Sequence, residues 1–206
     1  NMATVGGGLA HADPNQDPPP SLIALGATVK ATSASGSRMI PLDEFFKDYY
    51  ETLLNPDEII TEVMVPKQAP NTGAAYIKFL PRTADDYATV SAAAVLTLDK
   101  TMKTIADVRI ALGSVGVTPI RATEAEALLR GQPLKAEAFA AAGEQAKQAG
   151  DPVSDFRGSA AYKTDMAAVF VRRALEKALA DIRQQAKAKA APKPAIKKAV
   201  KKGKKR

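Results

Sequence analysis

Apolar side chains alternate with polar ones through the middle of the chain and recur every three or four positions towards its end. The segment Ile59 to Val65 alternates and stops at Pro66, which predicts a strand. Ala74 to Leu80, Ala88 to Leu98 and Ile105 to Val115 are three further strand candidates, the last two joined by a turn at Asp99-Lys100. Val90, Val95 and Leu96, then Val108, Ile110 and Leu112, predict an antiparallel meander with one buried face. After Pro119 the period lengthens. Thr123 and Glu126 spell a capping box before Leu128 and Leu129, and Gly131 stands where a glycine closes a helix. Lys135 to Ala149 is an alanine-rich helix stopped by Gly150. From Ser159 a longer helix gathers Val171, Leu175, Ala178, Leu179 and Ile182 on one face. Strands in a block followed by helices in a block predict the α+β class.

The first third is more broken. Thr4 and Val5 lead into Gly6-Gly7-Gly8 and then a proline-rich run to Pro20, which predicts a strand end and a tight backbone loop. Ser21 to Leu25 predicts one or two helical turns behind prolines. Thr28 to Ser33 and Arg38 to Ile40 predict a hairpin around Ser35-Gly36, and Leu42 to Tyr50 a short helix. Lys67 to Gly73, with Pro70 and Asn71, reads as the domain boundary. Residues 1–66 and 74–184 are then two domains. The Lys/Ala/Pro run 187–206 has too few apolar anchors to offset its ordering entropy and is expected to be a disordered basic tail.

Composition narrows the chemistry. The 206 residues are 46% hydrophobic and 25% charged, an ordinary globular balance. No apolar run of about 18 residues spans a membrane, and Asn1 to Leu9 lacks the pattern of a secretory signal, so a cytoplasmic location is expected. With no cysteine and one histidine, disulfides, thiolate zinc sites, cysteine nucleophiles and iron–sulfur ligation within the chain are excluded. Redox chemistry must come from an organic cofactor or a partner. The net charge of +7 is unevenly spread: ten of the 29 Lys/Arg lie in 187–206, leaving 19 against 22 acidic residues before them, a net of −3. The tail carries no aromatic residue to stack on bases. Any contact with nucleic acid is therefore nonspecific and salt-dependent.

The glycine cluster is the main candidate for chemistry, because exposed backbone N–H groups cradle phosphates. It fails the G-x-G-x-x-G pattern, with His11 where a glycine is needed, and lacks a P-loop Gly-Lys-Ser/Thr. On spacing alone it fits a structural turn as well as a phosphate cradle. His11 is open to reading as an acid–base group or as a loop histidine bonded to backbone. Asp85-Asp86 is a carboxylate pair or a turn former, and Lys78 a site cation or a surface lysine.

Several separated segments resemble one family in the same order. Thr4-Val5-Gly6-Gly7-Gly8-Leu9-Ala10-His11-Ala12-Asp13-Pro14 with Asp17 is similar to the second flavin-binding loop of the molybdenum hydroxylase flavoproteins, of the xanthine and carbon monoxide dehydrogenase type. Pro41 to Phe46, Pro56 to Ile60, Ala75 to Phe79, Arg82 through Asp86-Tyr87-Ala88, Ile110 to Val115, Pro119 to Gly131 and Asp155 to Ser159 follow in register. The resemblance covers about residues 3–182.

It implies the C-terminal lobe of an FAD-binding domain up to Pro66, then a three-stranded antiparallel sheet with a helical bundle. In such proteins the Thr4 to Gly8 segment offers amides to the FAD pyrophosphate, with His11 in the same stretch, and Asp17 helps hold the cofactor. Ile60 packs near the isoalloxazine and Lys78 hydrogen-bonds beside it. Tyr87 matches an aromatic residue over the flavin. Gly8 departs from the asparagine common there. An earlier A-G-G-x-S loop of the family does not occur, so the first lobe is expected to be missing, the chain a fragment or truncated gene product that a second chain completes.

The implied function is a flavin subunit of a molybdenum-dependent hydroxylase. It takes electrons from the 2Fe-2S clusters of a small subunit, fed by a molybdenum cofactor in a large subunit, and delivers them to an external acceptor. The alternative is a non-catalytic docking domain whose basic tail binds anionic surfaces. A free-standing FAD oxidase would need an acid–base constellation that the sequence does not supply.

Overall fold

The computed structural model describes residues 3–80 and 87–190. The Arg82 to Asp86 match, the Asp85-Asp86 pair and tail residues 191–206 lie outside the described residues.

The glycine stretch is a helix, α1 (Val5–His11), where the sequence predicted a strand end and loop. Three glycines depress helix propensity by roughly 1 kcal/mol each, but both ends are capped. Thr4 Oγ1 accepts the Gly7 N–H at 2.9 Å, and Ala12, left-handed at φ 53°, donates its N–H to the Leu9 carbonyl. The buried Leu9 anchors the helix. Helix α2 (Pro18–Ala24) starts on prolines that have no N–H to lose.

The hairpin forms as expected, with β1 (Thr28–Ser33) and β2 (Gly36–Pro41) pairing Val29 with Ile40. On the other side of β1 runs β5 (Ile59–Met64), antiparallel, giving the order β2-β1-β5. The helix expected from Leu42 to Tyr50 lasts one turn, α3 (Leu42–Phe45). Leu42 and Phe45 are then already buried. The Asp48 carboxylate takes the Tyr49 N–H at 2.7 Å, and Tyr50 adopts φ 56°. A side chain that binds its own backbone favours a turn over a helix. The segment instead forms the small ribbon β3 (Phe46–Asp48) and β4 (Glu51–Thr52).

Arg38 and Glu58 pin the connection from β4 to β5. The guanidinium binds both Glu58 oxygens at 2.8 Å and the Leu53 carbonyl, and Glu58 also accepts the Asn55 N–H at 2.7 Å. The Arg38 hydrogen bonds, then the Asn55 amide, lower the Glu58 carboxyl from its ordinary 4.5 to about 2. A lowered carboxyl stabilises the folded form fully above its ordinary value and loses that contribution as acid titrates it. The protection of the Asn55 amide from exchange, relative to its intrinsic rate at each pH, should therefore fall between pH 4.5 and about 2. In Arg38→Met that transition should move up towards 4.5.

The second sheet has four strands where three were expected, in the order β6-β7-β8-β9. These are β6 (Thr72–Phe79), β7 (Val90–Leu98), β8 (Ile105–Gly113) and β9 (Ile120–Arg121). Two residues are too short to show a period, which hides β9 from pattern reading. Gly73, placed by sequence in a linker, lies inside β6.

Helices α4 (Thr123–Leu129), α5 (Ala136–Ala146) and α6 (Ala160–Ala190) pack on one face of this sheet. Its other face is covered too. Val95, Ala93 and Ala111 join Ile23, Ala24 and Val29 in a second core, so β7 is buried on both sides and not on one. Helix α6 continues through 187–190, where disorder was expected, because lysine and alanine favour helix.

The capping box at α4 does not form. Glu126 is 0% exposed and serves the core instead. Its Oε1 accepts the Ile110 N–H (2.9 Å) and Arg121 Nε (3.0 Å), and its Oε2 accepts Arg121 Nη2 (3.0 Å) and Arg130 Nη2 (2.7 Å). Gly131, at φ 76°, follows α4 as predicted.

Candidate functional site

A cavity of about 550 Å³ opens between the first turn of α1 and strand β5. Thr4, Val5, Gly6 and Gly7 line one side, and Ile60 with Leu22 line the other. The glycines set this spacing. A Cβ on Gly6 would rest 3.5 Å from Ile60 Cγ2, and one on Gly7 would crowd Thr4 Oγ1 at 2.9 Å. The first amides of a helix have no intrahelical acceptor and carry partial positive charge. In α1 the Gly7 amide is taken by Thr4 Oγ1, which leaves those of Val5 and Gly6 for a ligand. The β5 side also carries Thr61 and Glu62, whose carboxylate is paired with Lys30 at 2.8 Å. An anionic part of a ligand therefore suits the α1 end, and a flat apolar part suits Ile60, Leu22, Val63 and Val65. Gly8 faces the Gln16 amide, 3.1 Å from where its Cβ would be.

The remaining candidates gather around the loop from Asp13 to Asp17. Asp17 Oδ1 accepts the Tyr76 hydroxyl at 2.7 Å, and Oδ2 accepts Lys78 Nζ at 2.9 Å. Strand β6 alternation puts Tyr76 and Lys78 on one face, so both reach the same carboxylate. Burial, reinforced by Asp17, pushes the Tyr76 hydroxyl well above its ordinary value. Lys78 and Asp17 do not line the cavity above; the 13–17 loop joins the two places.

Tyr87 donates its hydroxyl to Asp13 Oδ2 at 2.8 Å, and Arg157 lies over its ring, 5.5 Å from the centroid. The Asp13 hydrogen bond raises the Tyr87 hydroxyl above its ordinary value. His11 packs its ring against Tyr50, centroids 5.2 Å apart. Thr4 to Gly7 and Ile60 thus share a cavity, Asp17 and Lys78 form an ion pair, Tyr87 is bonded to Asp13 of the same loop, and His11 packs on Tyr50; neither Tyr87 nor His11 lines the cavity. Sequence reasoning quoted Tyr76 and Asp13 within matched segments but gave neither a role. The Asp13-Pro14-Asn15 turn was a legible signal, since Asn15 N–H binds Asp13 Oδ1 at 2.9 Å. The bonds to Tyr76 and Tyr87 span 59 and 74 residues and leave no local trace.

No helix among the described residues is long and apolar enough to cross a membrane. Residues 1–68 match the model of the FAD binding domain in molybdopterin dehydrogenase. The carbon monoxide dehydrogenase medium chain of Hydrogenophaga pseudoflava is 39% identical over 180 residues, 87% of this chain and 62% of that one. A putative xanthine dehydrogenase FAD-binding subunit of Escherichia coli (strain K12) is 27% identical over 181 residues, covering 87% and 61%. Among solved structures, carbon monoxide dehydrogenase from Hydrogenophaga pseudoflava lacking the Mo-pyranopterin moiety superposes with a TM-score of 0.83 at 41% identity. That match covers 88% of this chain and 62% of the other. The chain thus spans about 62% of the length of such relatives. Residues 75–178, just over half of the chain, match the CO dehydrogenase flavoprotein C-terminal domain, and the chain belongs to that flavoprotein family.

Proposed function

We propose that this chain builds one wall of an FAD site and serves as a flavin subunit of a molybdenum-dependent dehydrogenase. The carrying observation is the cavity in which the glycine turn of α1 faces Ile60 across about 550 Å³. The Val5 and Gly6 amides would hold the diphosphate, and Ile60 would pack on the ring system. Lys78, held by Asp17 outside that cavity, would be the cation directed towards the ring system. FAD held there would supply the capacity for electron transfer between a donor and an acceptor. The chain's own residues bind and orient it and contribute no acid–base step.

The partners in this reading are a small iron–sulfur subunit and a large molybdenum-cofactor subunit, and the place of work is the cytoplasm. The absence of cysteine from the chain is consistent with clusters held elsewhere. Domain limits of 1–66 and 74–184 follow the same reading, with the two cores meeting at β7.

Incubation with saturating FAD followed by gel filtration should leave the visible flavin band on the protein. Gly7→Val, which fills the cradle beside Thr4, should weaken retention roughly tenfold, or about 1.4 kcal/mol. Equal flavin retention by both proteins, or none by either, removes the reading.

A further inference from the structure

We propose that Asp13 is a positioning residue that fixes the Tyr87 ring beside the flavin. The placement beside the flavin rests on the reading just given; the hold on the ring stands on geometry alone. Asp13 is only 3% exposed, although it is a carboxylate on the connection between two helices. Burying such a group is costly unless its oxygens are bonded. Both are. Oδ1 accepts the Asn15 N–H at 2.9 Å and Oδ2 the Tyr87 hydroxyl at 2.8 Å.

The Asp13 end of this contact is rigid. The turn through Pro14 is tied on both sides, with Tyr50 N–H on the Ala12 carbonyl (3.2 Å) and Ser114 N–H on the Pro14 carbonyl (3.4 Å). Tyr87 is 45% exposed, so packing alone leaves its ring latitude. The hydroxyl bond to a fixed carboxylate and the Arg157 guanidinium over the ring face together hold its orientation. Four residues on, Asp17 does the same for Tyr76 and Lys78. One short loop between α1 and α2 thereby aims side chains at both ends of the segment from Tyr76 to Tyr87.

Among the described residues, Asp13, Tyr50 and Arg157 act on the charge of the Tyr87 hydroxyl. The hold is tested by alkaline titration at the tyrosinate absorption band. Subtracting the Tyr87→Phe curve from the wild-type curve isolates Tyr87 from the other four of the five tyrosines. The half-point should lie above the ordinary 10.0 and move down towards it in Asp13→Asn, also measured against its own Tyr87→Phe partner. An unmoved half-point overturns the proposal. Should Asp13→Asn fail to fold, a wild-type half-point at the ordinary value does so equally.

The flavin placement has a separate readout. In FAD-loaded protein the visible flavin band should shift in Tyr87→Phe and in Asp13→Asn alike. A band indifferent to Tyr87→Phe, with the titration responding to Asp13, overturns the placement beside the flavin and upholds the hold on the ring.

Discussion

Glu126→Ala should lose about 3–5 kcal/mol of stability, the range found when one partner of a buried ion pair is removed. The wild-type carboxylate satisfies four donors at 2.7–3.0 Å. Truncation strands the Ile110 N–H inside the sheet–helix core and leaves two guanidinium groups facing one another. Arg121 keeps Asp43 at 2.9 Å and Arg130 keeps Asp107 at 2.9 Å, so neither cation is wholly abandoned. That residual pairing favours the lower end of the range. At about 2–4 °C per kcal/mol for a chain of this size, the thermal midpoint should fall by roughly 6–20 °C. Glu126→Gln keeps the shape but turns an amide donor towards a guanidinium, and should recover less than half of the loss. A drop of under about 1 kcal/mol in urea unfolding of Glu126→Ala would mean that the carboxylate is not the hub of this network.

Gly73→Ala is the second large effect, and it comes from backbone and not from charge. In β6 the glycine lies beneath α6, where an added Cβ would run into the Ala178 carbonyl and come within 2.9 Å of the Ile182 nitrogen. A side-chain neighbour can rotate away, but a helix backbone cannot without shifting the whole helix. Overpacking of this kind typically costs about 1–3 kcal/mol, and two backbone contacts place this site at the upper end. Gly6→Ala is the matched control. Its Cβ meets Ile60 at an ordinary 3.5 Å, and alanine favours helix over glycine by roughly 1 kcal/mol. Urea midpoints should drop for Gly73→Ala and hold or rise for Gly6→Ala; equal midpoints would show that α6 can yield.

The elements that pattern reading found are those with one dominant local cause. The Ser33–Gly36 turn pins the hairpin, Pro66 bounds the apolar run of β5, and Val108, Ile110 and Leu112 mark β8 by facing the helix-side core together. Strand β7 is apolar on both faces, so its run of small residues fixes a strand but not a second packing partner. Helix α1 was hidden because three glycines outweigh, in any propensity sum, a cap that depends on one hydroxyl of Thr4. Glu126 looked like a capping residue because the spacing is the same, while the donors that claim it come from β8, β9 and the end of α4.

For the candidate site, residue types and order were legible in the chain, and partnerships were not. Asp17 was singled out, but not its bond to Tyr76. Lys78 was expected beside a ring, and it is found on a carboxylate 61 positions earlier. Such pairings depend on how the two cores meet, and no local window of sequence contains both.

That meeting has a consequence for how the chain tolerates change. Along β7 the numbering itself sorts the neighbours: Ala92, Ala94 and Leu96 belong to the helix-side core, Ala93 and Val95 to the hairpin-side core. Enlarging an even-numbered alanine there pushes on the helical layer, and enlarging an odd-numbered one pushes on the half that carries the glycine turn. Adjacent substitutions one residue apart are therefore felt on opposite sides of the molecule. A volume added at one can be relieved only by trimming on its own side, never at the next residue along.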